Sequence, residues 1–366
     1  MSVLSAFNPA LASLPVYQPG RPIEEVAREH NLQPESIIKL ASNENPLGPS
    51  PKAVAAMRAV LDQLHLYPDG NAFYLKRKLA QKLGVAPENI ILGNGSNEII
   101  EFVGHALMRG GAEVVVSEYC FAVYPIIAHM FGAKLVTVPA RGLGHDLAAM
   151  QRAITPRTTV LFVANPNNPT GTLAAKKEIE KLAAEVPDSV LLVMDEAYID
   201  FLDDAPNLLP LVKAGRTNLL LMRTFSKIYG LAGLRLGYGI GHPDLIAALE
   251  KVRQPFNINA IVQAGAMAAL DDEEHLAATK RNNSDGLRFF SEELQRLKLE
   301  FIPSAANFVL VRVGNGQKIF EAMQKLGVIT RPMGGYKLPE WIRITIGTPP
   351  ENERCLAALK SALGSA

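Results

Sequence analysis

Ile90-Ile91-Leu92-Gly93-Asn94-Gly95-Ser96-Asn97-Glu98 is the stretch on which the fold turns. An aliphatic run meets a glycine turn and continues as an amphipathic helix through Met108. Gly93 and Gly95 let the backbone turn tightly. Ser96 and Asn97 fall at the helix N-terminus, where free N–H groups and the helix dipole favour an anion. Taken alone, the segment is an ordinary strand–helix turn with Ser96 as its N-cap.

The same texture recurs downstream. Glu113–Ser117, Lys134–Val138, Thr159–Val163, Val190–Met194 and Leu219–Met222 are short aliphatic runs, with Tyr124–Phe131 and Lys176–Glu185 as helical segments between them. Strands apolar on both faces and alternating with helices predict an α/β unit with a mainly parallel sheet. Ligands on such sheets sit at the carboxyl ends of strands. Upstream, residues 1–50 are rich in proline and weakly periodic, an arm and an irregular lead-in. Helices fit Pro51–Leu64 and Ala72–Leu83, the second ended by Gly84. Beyond about residue 255 come the helices Ala260–Leu270 and His275–Leu297. Short strands, the helix Lys318–Leu326 and a last helix Pro350–Leu363 follow. The expected organisation is an arm over 1–50, a large α/β domain over 51–255 and a small α+β domain over 256–366.

Composition narrows the function. Of 366 residues, 48% are apolar and 20% charged, enough for a sizeable core. The net charge of +1 provides no basic excess for nucleic acid or an anionic membrane. Cys120 and Cys355 lie far apart in no metal or redox spacing, which fits a reducing cytosol and no metal. The N-terminus lacks a signal-peptide pattern, and no apolar run reaches the roughly 18 residues that span a bilayer. A cytoplasmic protein is expected.

Three further motifs follow strand ends. Asn165-Pro166-Asn167-Asn168-Pro169-Thr170-Gly171 is a Pro/Asn loop whose Asn168 amide can point at a ligand. Val193-Met194-Asp195-Glu196-Ala197-Tyr198 ends an apolar strand with an acid. Asp195 is either a helix cap or the partner of a buried cation, and Tyr198 can face the same ligand. Arg223-Thr224-Phe225-Ser226-Lys227, with Arg235 eight residues on, sets a lysine among apolar and glycine-rich sequence. That suits a depressed pKa and Schiff-base chemistry; an isolated lysine would sooner be a surface cation, and Arg235 a salt-bridge partner.

Four such motifs in this order resemble the fold-type-I aminotransferases. The resemblance implies a large domain with a mainly parallel seven-stranded sheet, a smaller α+β domain, and pyridoxal 5′-phosphate as cofactor. In that likeness Lys227 forms the Schiff base, Asp195 pairs with the pyridine nitrogen, and Tyr198 and Asn168 hydrogen-bond the ring oxygen. Ser96, Asn97, Thr224, Ser226 and Arg235 bind the cofactor phosphate, and Phe121 stacks on the ring. Lys227, Asp195 and Tyr198 carry the catalysis.

Lys39–Pro46, Tyr67-Pro68-Asp69, Thr330-Arg331-Pro332-Met333 and Arg343-Ile344-Thr345-Ile346-Gly347 are similar to the histidinol-phosphate aminotransferases within that class. The likeness implies transamination between histidinol phosphate and 2-oxoglutarate, a step of histidine biosynthesis. Arg343 would then grip an α-carboxylate and Arg331 a phosphate or second carboxylate. Asn43 would also contact substrate, and Tyr17 would lie over the site. Tyr67 would reach the cofactor phosphate of a neighbouring subunit, so the partners implied are small amino and keto acids and a second copy of the chain. Departures are Ala41-Ser42, where an asparagine–alanine pair is common, and Phe121, where tyrosine is common. Aromatic amino acid aminotransferases and phosphothreonine decarboxylases share the scaffold. Transcription regulators that use it as a sensor need a DNA-binding segment, of which this sequence has no pattern.

Overall fold

A computed structural model describes residues 3–7, 9–12, 14 and 20–364; Tyr17 lies outside them. The first strand, β1 (Ile38–Lys39), precedes a seven-stranded sheet built from β2 (Ile90–Asn94), β3 (Glu113–Ser117), β4 (Lys134–Val138), β5 (Thr158–Ala164), β6 (Leu191–Asp195), β7 (Leu219–Thr224) and β8 (Leu236–Gly241). Its order is β2-β8-β7-β6-β5-β3-β4. The pairs among β7, β6, β5, β3 and β4 are parallel, and β8 runs antiparallel to both β2 and β7. The continuous apolar runs follow from burial on both faces. Val115, Leu161, Leu192 and Leu221 pack into one core, and their strand neighbours Val114, Phe162, Val193 and Leu220 pack into the other.

Strand β8 is absent from the sequence reading because Leu236-Gly237-Tyr238-Gly239-Ile240-Gly241 has glycine at alternate positions, a poor strand signature. The reason lies across the sheet. A β-carbon on Gly237 would overlap the backbone at Ser96. Glycine there lets the start of helix Ser96–Leu107 settle on the sheet. The helix expected over Pro51–Leu64 stops at Ala59, and a 3-10 turn takes over at Leu61–Gln63. A helix absent from the expected irregular lead-in covers Ile23–His30.

The C-terminal part forms a four-stranded antiparallel sheet from β9 (Phe301–Ile302), β10 (Phe308–Arg312), β12 (Arg331–Pro332) and β13 (Trp341–Thr345), ordered β12-β13-β10-β9. Strand β1 pairs in parallel with β11 (Val328–Ile329), so the lead-in is stitched to this part. Helices Glu273–Arg296, Gly316–Lys325 and Pro349–Gly364 cover it. Leu40, Phe290, Val311, Ile344 and Leu359 share one core.

Candidate active site

The ends of β2, β5, β6 and β7 open into one pocket. It is lined by Ser96, Asn97, Asn168, Asp195, Tyr198, Thr224, Ser226, Lys227 and Arg235, and, from outside these strand ends, by Asn43, Phe121, Arg331 and Arg343. Residues spread over 300 positions therefore converge because β5, β6 and β7 are neighbours in the sheet and β12 and β13 contribute Arg331 and Arg343 from the C-terminal part.

At the floor, Asp195 ends β6 and is only 6% exposed. Its Oδ2 accepts a hydrogen bond from the Tyr124 hydroxyl at 2.6 Å and its Oδ1 one from the Ala197 amide at 3.1 Å. Burial pushes its pKa up, and Tyr124, Ala197 and Lys227 pull against that shift. The acid is thus neither bare nor a helix cap. Tyr124, whose own pKa burial drives far above the ordinary value, remains a donor at every working pH. Its ring stacks on Phe162 at 4.5 Å and meets Phe121 edge-on at 5.7 Å. Nothing in the sequence marks Tyr124, an aromatic inside an apolar helix. The next acid, Glu196, turns away to pair with Arg223 at 2.8 Å.

Lys227 is half-buried and lies near the cations Arg343 and Arg235. Burial first, then Arg343 and Arg235, lower its pKa to about 8 against the opposing pull of Glu44 and Asp195. Its Nζ donates to the carbonyl oxygens of Ser42 and Asn43 at 3.3 and 3.2 Å and lies 5.7 Å from the Tyr198 ring centre. Asn43 adopts a left-handed φ of 55°. Its amide donates to the Tyr198 hydroxyl at 2.9 Å, and its backbone N–H donates to Thr345 Oγ1 at 2.9 Å. This residue ties the lead-in and β13 to the pocket floor. Burial raises the Tyr198 pKa to about 12, so it too remains protonated.

At one end, Gly95 has φ +75°, and a β-carbon there would overlap the Arg235 guanidinium. The guanidinium therefore lies directly over the start of helix Ser96–Leu107. Arg235 also donates to Ser226 Oγ at 3.4 Å, and the Ser226 amide donates to Thr224 Oγ1 at 3.1 Å. A helix N-terminus, three hydroxyl side chains and an arginine form an anion cradle.

At the other end, Arg343 donates to Asn168 Oδ1 at 2.5 Å and to the Ala41 carbonyl at 2.9 Å, with its guanidinium 5.0 Å from the Phe308 ring centre. Because Asn168 Oδ1 is taken, its Nδ2 is left to donate. Arg331 sits directly opposite Arg343 in the β12–β13 ladder. Like charges opposite one another cost stability on their own, a cost an anionic ligand offsets. Ser42, named above only as a departure from the family pattern, also lines the pocket, as do Gly20 and Tyr336, which the sequence did not single out. Tyr67 is not in the pocket: it is 83% exposed and stacks on Phe256 at 4.8 Å. Leu61, Leu64, Leu66, Phe73 and Tyr74 are exposed with it. Among the described residues there is no cluster suited to a metal, and no helix is long and apolar enough to cross a membrane.

Comparison with known proteins places the chain in a family. Residues 35–359 match the aminotransferase class I and II family. The chain is 49% identical over 364 residues to the histidinol-phosphate aminotransferase of Akkermansia muciniphila, covering 99% of this chain and 100% of that protein. It is 50% identical over 355 residues to histidinol-phosphate aminotransferase 2 of Ralstonia nicotianae, covering 96% and 95%. The structure of histidinol-phosphate aminotransferase from Sinorhizobium meliloti in complex with pyridoxal-5′-phosphate superposes with a TM-score of 0.90 at 31% identity, covering 99% of this chain and 98% of that one. A family match over most of the chain, full-length relatives at this identity and a shared fold lead to one conclusion: the chain belongs to the class I and II aminotransferases.

Proposed function

We propose that the chain is a pyridoxal 5′-phosphate-dependent aminotransferase that moves an amino group between histidinol phosphate and 2-oxoglutarate, in histidine biosynthesis. The observation that carries the reading is the joint placement of Lys227 and Asp195 on the floor, with Arg331 opposite Arg343 above them. The full-length relatives named for this activity support the substrate.

The residues fit the cofactor at three points. The cradle of Ser96, Asn97, Thr224, Ser226 and Arg235 suits its phosphate. Asp195, held by Tyr124 and Ala197, suits a cationic ring nitrogen. Lys227, lowered to about 8, suits capture of its aldehyde. When bound, pyridoxal 5′-phosphate supplies a conjugated cationic ring that takes up the electron pair left as a proton leaves the substrate α-carbon.

The chain's own groups do the rest. Arg343 grips the α-carboxylate through its fork of donors and so fixes which bond at the α-carbon is presented for cleavage. Lys227 Nζ takes the α-proton and gives it back to complete the exchange. Its pKa near 8 keeps both forms available close to neutrality. Asn168 and Tyr198 offer donors to the ring oxygen, Phe121 covers one ring face, and Arg331 meets the substrate's remote anionic group. Asn43, tied to Tyr198, holds the floor against the substrate side.

The exposed apolar surface around Tyr67 supports a homodimer in which Tyr67 completes the neighbour's phosphate cradle. The absence of a membrane-crossing helix among the described residues is in keeping with a cytoplasmic enzyme.

The test is a donor panel with 2-oxoglutarate as acceptor. Histidinol phosphate should exceed both histidinol and phenylalanine in kcat/KM. Equal use of phenylalanine would assign an aromatic aminotransferase instead. Release of carbon dioxide from phosphothreonine without amino transfer would overturn the reading.

A further inference from the structure

Gly20 lines the pocket. A β-carbon at this position would stand 3.4 Å from Ser42 Oγ, 3.7 Å from Arg331 Nη1 and 3.8 Å from Lys39 Cε. A hydroxyl, a guanidinium and the last methylene of a lysine therefore face one point, at contact distance from it. The backbone explains the convergence. Lys39 ends β1 opposite Ile329 of β11, and the chain from β11 runs straight into Arg331. Lys39 is half-buried, and its side chain forms no ion pair or hydrogen bond among the described residues.

From this juxtaposition, we propose that Lys39 is a second cation of the substrate's remote-group subsite, acting with Arg331 and Ser42 to select a phosphate monoester over a carboxylate. The proposal rests on the transaminase reading above and deepens it. A transaminase of that kind must seat two remote groups in turn: the phosphate of one substrate and the γ-carboxylate of the other. A carboxylate carries one charge, which one guanidinium balances. A phosphate monoester carries close to two, with three acceptor oxygens. Charge-assisted contacts to oxygen run about 2.8 Å, and the ammonium is one bond beyond Cε. A phosphate held by Arg331 and Ser42 beside Gly20 is therefore within reach of the Lys39 ammonium. The smaller, singly charged carboxylate is held by Arg331 alone.

The two half-reactions separate these roles. Lys39→Met keeps the aliphatic stem and removes the charge. It should raise the apparent KM for histidinol phosphate roughly tenfold or more, with kcat and the glutamate half-reaction held within about twofold. Inorganic phosphate, titrated calorimetrically into the holoenzyme, should bind correspondingly more weakly, and Lys39→Arg should restore most of both. Arg331→Ala, in contrast, should impair both half-reactions. Equal losses with glutamate and histidinol phosphate in Lys39→Met, or unchanged binding of inorganic phosphate, would overturn the assignment. A wild-type protein indifferent to the phosphate of histidinol phosphate would sink the functional reading; the inorganic-phosphate titration would still decide whether Lys39 belongs to an anion subsite.

Discussion

Tyr124→Phe should slow transamination without dismantling the site. The substitution removes one oxygen, the donor 2.6 Å from Asp195 Oδ2. The ring keeps its stack on Phe162 and its edge contact with Phe121, so little packing is lost. A hydrogen bond to a charged group is worth about 1.5–3 kcal/mol. Its loss should lift the Asp195 pKa further. Burial already raises that pKa, and only the Ala197 amide and Lys227 would remain to oppose it. A less acidic Asp195 is a poorer counter-charge for the ring nitrogen. The ion pair should shift toward its neutral form by roughly ten- to a hundredfold, and kcat should fall by a similar factor in both half-reactions. The nitrogen-15 chemical shift of ring-labelled cofactor reads the proton directly, and should move toward the unprotonated position. A folded variant whose ring-nitrogen shift is unmoved and whose kcat stays within about twofold of wild type would refute the reasoning. In that case the Tyr124 hydroxyl would be packing and nothing more.

Lys227→Ala should keep the fold and abolish transamination, since no neighbouring amine can take over both cofactor capture and proton transfer; a near-normal rate with glutamate would remove Lys227 from its role. In the cofactor-free protein the neutral amine is the reactive form, and its pKa is lowered to about 8. The rate of covalent cofactor capture, followed by absorbance, should rise with pH and level off above about 8; a rate still climbing near 10, where ordinary lysines titrate, would contradict the burial argument. Glu113 is held down to about 2 by the Thr155 hydroxyl, then by Arg157 and Lys134. A depressed carboxylate stabilises the fold above its unfolded pKa of about 4.3 and loses that contribution as pH falls toward 2. Glu113→Gln should flatten thermal stability across that window, and an unchanged acid limb would assign the loss to other groups. Sedimentation should return twice the 39.6 kDa chain mass, and Tyr67→Ala should weaken cofactor retention; a monomer with full cofactor affinity would end the shared-site proposal.

The α/β layering was legible in the sequence because strands buried on both faces must be apolar throughout. The motifs at their ends were legible because glycine, proline and an acid are out of place there. Ser96, Asn168, Asp195 and Lys227 could each be picked out as residues ending a strand, since a parallel sheet places all such ends on one side. What single positions could not reveal were partnerships between distant segments. Strand β8 looked too rich in glycine to pair, until Gly237 proved to be where a helix start rests on the sheet. Tyr124 looked like core, and its hydroxyl meets Asp195 from 71 positions away. Asn43 reaches Tyr198 across 155 positions, and Lys39 and Arg331 both flank Gly20 only because β1 pairs with β11. Periodicity and turn chemistry are local properties that a chain carries openly. The partner of a buried polar atom is chosen by packing across the whole molecule, and only the tertiary structure decided it.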